Sequence, residues 1–290
     1  MSYRKALKET SSRKQFTENG TLSVDGIVSY SYRFFISHFD YFLRLAFMPI
    51  VCWVMVQLGN DILYHEYDLK FDPNIPLALI SAAFALVWYR QFLLGSEHAT
   101  YEQLYDHIFS KNNFDMLRFF RSIVRIAFTA IVLFVPTLML SVGYMIYQYS
   151  QGKFLDSAAI ESVAFKSTTI VLLMFSPILV RLSQYTVGVA LGRRSMSLRN
   201  VWKKTTGNTW VLWLLIVRAL LPISLYTYFI TWFLGNMSER WELNYVWASL
   251  FINIPTAFLT FMMLAIIVGA NGEVFKTIFG IRLKNRGEES

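Results

Sequence analysis

The stretch DYFLRLAFMPIVCWVMVQLGN, residues 40–60, is almost wholly apolar, and five further runs of the same kind follow it. About twenty residues of helix rise roughly 30 Å, which is the thickness of the hydrocarbon layer of a bilayer. The runs lie near residues 42–64, 75–95, 121–147, 163–190, 210–234 and 246–270. Lipid offers no hydrogen-bond partner to an exposed backbone, and the runs lack the alternating pattern of a membrane barrel, so each is expected to be a transmembrane helix. With 55% apolar and 16% charged residues, the chain has too little charge to clothe itself in water.

Lysine and arginine divide unevenly between the two sides that this threading creates. The N-terminal segment through Arg44 holds seven, the stretch from Arg90 to Arg125 five, that from Arg181 to Lys204 six, and the C-terminal tail four. The opposite loops hold Lys70, Lys153, Lys166 and Arg240, and Arg218 falls inside a run. Positive charge is retained in the cytoplasm, so both termini are expected there, in a multi-pass protein of the inner (plasma) membrane. Topology thus accounts for the net charge of +8, and the short basic clusters do not make the continuous polar face that a nucleic acid needs. The chain reads as a polar, basic tail over residues 1–21, a six-span domain over 22–275 and a cytoplasmic tail over 276–290. The first forty residues lack an apolar stretch with a cleavage site, so no removable signal peptide is expected. Cys52, the one cysteine, lies inside a run, which excludes an intrachain disulfide or a thiolate metal site.

Three times a stretch of mixed aromatic and basic character leads into a run with an early arginine and a later proline. VDGIVSYSYRFFISHF (24–39) precedes Arg44 and Pro49, YEQLYDHIFSKNNFDMLRFF (101–120) precedes Arg125 and Pro136, and SLRNVWKKTTGNTW (197–210) precedes Arg218 and Pro222. In the first of these Val24, Ile27, Val28, Phe34, Phe35 and Phe39 fall near one helical stripe. The pattern predicts an all-α, polytopic bundle of six transmembrane helices arranged as three hairpins, each preceded by a cytoplasmic, interfacial amphipathic helix. Tyr30, Tyr32, Trp202 and Trp210, interleaved with Arg33, Arg199, Lys203 and Lys204, suit a headgroup zone that contains anionic phospholipid.

These units, with FISHFDYFLRLAFMP (35–49) and WYRQFLLGSE (88–97), resemble small bacterial six-helix inner-membrane proteins related to the membrane domain of glycerophosphodiester phosphodiesterases. The resemblance covers residues 25–275 and implies an inner-membrane protein. The soluble phosphodiesterase barrel of that family has no counterpart, because no segment is long and polar enough to form one. Its metal-binding and catalytic residues therefore have no positions here.

The arginines of the runs hold the chemical interest. Arg218 lies about 12 Å along a straight helix from Trp210, and Arg181 about 16 Å from Gly192, too deep to snorkel fully. Both are expected to face the bundle interior. No Asp or Glu lies deep in any run, so the expected partners are carbonyls freed by Pro177 and Pro222, with Gln184, Tyr185, Tyr226 and Asn253. Together with Arg90, Arg44 and Arg125 they are expected to line a cytoplasm-facing cationic region for a phosphate or carboxylate, which guanidinium geometry suits. The alternative is that these arginines cap helix carbonyls.

At helical spacing His98, Glu102 and Asp106 share a face that can hold a divalent metal, but no two-His zinc spacing accompanies them, and no metal or cofactor is expected. The chain has no G-x4-GK-S/T phosphate loop, no G-x-S-x-G elbow and no H-E-x-x-H pair. The expected function is therefore non-enzymatic: a scaffold, lipid-organising factor or accessory subunit that handles anionic phospholipid, alone or as a homo-oligomer. The alternative is a small transporter or channel for an anionic solute, with spans broken at Pro49, Pro136, Pro177, Pro222 and Pro255.

Overall fold

The computed structural model describes residues 17–18, 21–69, 71–103, 139–151, 157–190 and 196–280. Apart from turns, these are helical, with one small antiparallel pairing of β1 (Thr17–Glu18) and β2 (Thr21–Leu22). The helices are α1 (Val24–Ser37), α2 (Phe39–Tyr67), α3 (Asn74–Leu94), α4 (Ser157–Ala190), α5 (Leu198–Thr205), α6 (Thr209–Arg240) and α7 (Tyr245–Phe279). A 3-10 turn at Ser96–His98 follows α3, and residues 139–150 are also helical. Among the described residues four helices, α2, α3, α6 and α7, are long and apolar enough to cross a membrane. They coincide with the runs expected near 42–64, 75–95, 210–234 and 246–270. The run expected near 163–190 lies in α4. Most of the run near 121–147, with Arg125, lies outside the described residues.

Two units divide the chain: residues 1–104 with 182–290, and residues 105–181. In the second, Val163, Ser167 and Val171 make a buried stripe at four-residue spacing on α4, and Leu173 and Met174 are exposed.

In the first unit α7 is the central element, packed against α6, α2, α1 and α3. Helix α3 runs parallel to it: Phe84 meets Phe261, the Trp88 indole N–H donates to the Ala265 carbonyl at 2.9 Å, and Phe92 reaches the backbone at Gly272. Helices α2 and α6 run antiparallel to it. Ser249 donates to the Asp61 carboxylate at 2.6 Å and Tyr245 to Glu66 at 2.5 Å, tying the end of α2 to the start of α7. Thr231 of α6 meets Thr256 at 3.2 Å. Lipid tails are as apolar as leucine, so close packing rather than escape from water holds such helices together. The small residues of α7 serve that end. A Cβ at Gly269 would stand 2.5 Å from Ser31 Oγ, and one at Gly272 would stand 2.6 Å from the Phe92 ring.

Ser23 caps α1 by accepting from the Gly26 N–H at 3.3 Å. The helix buries a narrow stripe, Ile27, Ser31 and Phe35, rather than the broad one expected from Val24 to Phe39. Ser31 Oγ donates to the Ile266 carbonyl at 2.6 Å and Tyr32 to the Ala219 carbonyl at 3.1 Å, so α1 is docked on α7 and α6. Burial raises the pKa of Tyr32, which keeps its phenol a donor.

The prolines do not break the described helices: α2, α4, α6 and α7 continue through Pro49, Pro177, Pro222 and Pro255. Pro136 lies outside the described residues. A proline leaves the carbonyl four residues earlier without its donor. Two of these carbonyls gain a hydroxyl instead. Tyr101 donates to Leu45, four residues before Pro49, at 2.9 Å, and Ser176 donates to Leu173, four before Pro177, at 2.7 Å.

Burial, and secondarily the nearby Cys52, raises the pKa of Tyr101 above its ordinary value. Tyr101→Phe is expected to cost about 1–2 kcal/mol in a thermal or denaturant melt, because the Leu45 carbonyl is orphaned. A raised tyrosine pKa contributes stability that is complete below the unfolded value near 10 and is lost as pH climbs through the folded one. The stability difference between wild type and Tyr101→Phe should therefore shrink above pH of about 10.

Candidate functional site

The two ends of the first unit differ in charge. At the end formed by the close of α2, the start of α3, the close of α6 and the start of α7 lie Asp61, Glu66, Asp68, Asp72, Glu239 and Glu242, against Arg240 among the described residues. The opposite end carries α1, α5 and most of the cations, including Arg33, Arg44, Arg90, Arg199, Lys203, Lys204, Arg218 and Lys276.

Helix α5 has a buried pair and an exposed basic set. Ser197 caps it by accepting from the Asn200 N–H at 3.2 Å, Val201 and Thr205 are buried, and Arg199, Trp202, Lys203 and Lys204 are exposed. Lys204 Nζ lies 5.2 Å from the Phe279 ring, which ties α5 to the end of α7. Trp210, at the start of α6, is 71% exposed.

The expectation that Arg218 turns inward without a carboxylate is corrected. Arg218 Nη1 pairs with Asp25 Oδ1 at 2.5 Å, and both side chains are mostly exposed, at 57% and 76%. The acid comes from the first turn of α1, not from a span, so a search of the apolar runs does not meet it. An exposed pair of this kind contributes about 0–1 kcal/mol. A guanidinium has five N–H donors, so others remain for a second anion.

Of the other predicted residues, Arg44 is exposed. Arg90 donates through Nε to the His98 carbonyl at 2.8 Å, the capping role held open as the alternative. Tyr185 is half-buried. Arg181 is buried and belongs to the second unit, and Arg125 lies outside the described residues.

Gln184 is the predicted residue that the fold places in a built polar site. It is fully buried, and its Nε2 donates to Asn271 Oδ1 at 3.1 Å. Ser183 donates to the same oxygen at 3.4 Å, and Asn271 Nδ2 donates to the Tyr89 hydroxyl at 3.4 Å. Three helices thus converge on Asn271. Among the described residues Gln184 Oε1 has no hydrogen-bond partner. Tyr89 and Asn271 escaped the sequence reading, although Asn271 is the one side-chain amide in the closing run IIVGANG (266–272).

Beside this node Lys276 Nζ stands 4.4 Å from the Phe92 ring and 3.3 Å from Glu273. The metal face is corrected as well: Ala99 and Thr100 are not helical, so His98 and Glu102 do not share a helix, and Asp106 lies outside the described residues. Among the described residues no group of three His, Cys, Asp or Glu is placed to hold a metal. Comparison with protein-family models, with curated proteins and with solved structures finds no match to this chain.

Proposed function

We propose that this chain is a six-span, non-enzymatic membrane protein with both termini in the cytoplasm, whose basic end holds anionic phospholipid at headgroup depth. The observation that carries the reading is α5, with Val201 and Thr205 buried and Arg199, Trp202, Lys203 and Lys204 facing out at the cation-rich end. Aromatic rings and cations side by side fit the layer between hydrocarbon and water, where each Lys or Arg gains about 1 kcal/mol from an anionic surface. Arg218 adds a guanidinium at the same end.

The three-hairpin arrangement, the role as scaffold or accessory subunit, and the relationship to the membrane domain of glycerophosphodiester phosphodiesterases are parts of the same proposal. The transporter alternative drew on broken spans, and the continuity of the four described proline-bearing helices removes that ground.

The test is native mass spectrometry of the purified protein titrated with phosphatidylglycerol and with phosphatidylcholine. Lys203→Gln with Lys204→Gln is expected to weaken phosphatidylglycerol binding about tenfold and leave phosphatidylcholine unchanged. Equal retention of phosphatidylglycerol by wild type and double variant would overturn the reading.

A further inference from the structure

Among the described residues, no buried side-chain nitrogen lacks a hydrogen bond. The atoms without one are all oxygens: Gln91 Oε1, Gln103 Oε1, Gln184 Oε1, Thr227 Oγ1 and Glu273 Oε2, of which the last is ion-paired with Lys276 at 3.3 Å. A buried acceptor without a donor costs about 1–3 kcal/mol, so such an atom in a packed helix bundle marks a place where a donor is missing. Gln184 Oε1 is the case with a site around it, because the rest of its amide is already committed to Asn271, and Asn271 to Ser183 and Tyr89.

The face of α4 that bears Gln184 also bears Gly188, one turn nearer the helix end. The thioether of Met196 lies directly on Gly188, in the space that any Cβ there would occupy. Met196 is itself half-exposed. An unbranched thioether changes rotamer at little cost, so the space over Gly188, one turn from Gln184, opens readily.

A phosphodiester cannot satisfy Gln184 Oε1, since it carries acceptors and no donor. A headgroup that joins a phosphodiester to a free hydroxyl can. We propose that Gln184 Oε1 is the hydroxyl-recognition point of the lipid site: Met196 swings off Gly188 and the amide oxygen accepts from a polyol headgroup of the glycerol type, whose phosphate stays with the cations of the basic end. This rests on the anionic-lipid reading above and adds a selectivity that charge alone does not provide.

The test compares phosphatidylglycerol with phosphatidylmethanol, which has the same single negative charge and no headgroup hydroxyl, by native mass spectrometry or nanodisc titration. Wild type is expected to bind phosphatidylglycerol about fivefold more tightly than phosphatidylmethanol, the worth of one net hydrogen bond. Gln184→Met should bring the two lipids level by weakening phosphatidylglycerol alone. Gln184→Asn, which keeps the amide but draws its oxygen back by a methylene, should do the same and serves if the methionine variant does not fold. A wild type without preference, or a preference that survives in these variants, would overturn the inference and leave the anionic-lipid reading standing. A wild type that retains neither lipid would overturn that reading, and this one with it.

Discussion

Trp88→Ala is expected to be the most damaging single substitution in the first unit, with a loss of about 3–5 kcal/mol. The indole is fully buried, stacks on Phe84 with ring centroids 6.0 Å apart, meets Phe42 edge-on at 5.9 Å and Phe34 at 6.0 Å, and donates to the Ala265 carbonyl. Alanine would leave a cavity where α1, α2, α3 and α7 meet, and rings held by one another cannot collapse to fill it. Trp88→Phe separates the two contributions. It keeps a ring in place and loses the indole N–H, so it should cost about 0.6–2 kcal/mol, the range for hydrogen bonds between membrane helices. Unfolding in mixed detergent micelles measures both; a Trp88→Ala midpoint equal to wild type would show that the cluster does not hold the unit together.

Gly272→Val is the second large effect, near 3 kcal/mol, and its physics is the opposite one. Here nothing is removed, and the added carbon has nowhere to go, because it would stand 2.6 Å from the Phe92 ring. Phe92 cannot yield alone. Its ring packs on Phe34 at 4.6 Å and Tyr30 at 6.0 Å and carries the Lys276 ammonium at 4.4 Å, so a shift is passed to α1. Overpacking of this kind costs about 1–3 kcal/mol, and the fixed neighbours put this site at the upper end. Phe92→Ala, which opens the space, should rescue a Gly272→Val protein in a double-mutant cycle, with a coupling of about 1–2 kcal/mol.

How far the sequence foretold the molecule follows from which forces act over short range. The helices α2, α3, α6 and α7 were legible because membrane thickness imposes a length on any apolar run; their starts fall close to those expected, while α6 and α7 continue past the apolar run to Arg240 and Phe279. Gln184 was named from the sequence as a partner for arginine, and its bond to Asn271 was not legible, since Tyr89 and Asn271 are 182 residues apart and no local pattern couples them. Arg218 shows the same limit in another form. Depth along the run led to an expectation of carbonyl and amide partners, whereas the side chain is mostly exposed and meets a carboxylate from the first turn of α1, far away in the chain. Proline was misread for a related reason: the ring removes a donor, yet Tyr101 supplies one to Leu45 from 56 residues away.

The position of α7 at the centre has an outcome for biogenesis. It follows every other described helix in the chain, so while the earlier segments emerge, the indole of Trp88 and the hydroxyl of Ser31 have not yet met the carbonyls of Ala265 and Ile266. The ring cluster of Phe34, Phe42, Phe84 and Trp88 can therefore form among α1, α2 and α3 first, and α7 then closes it by supplying Phe261 and the acceptor carbonyls.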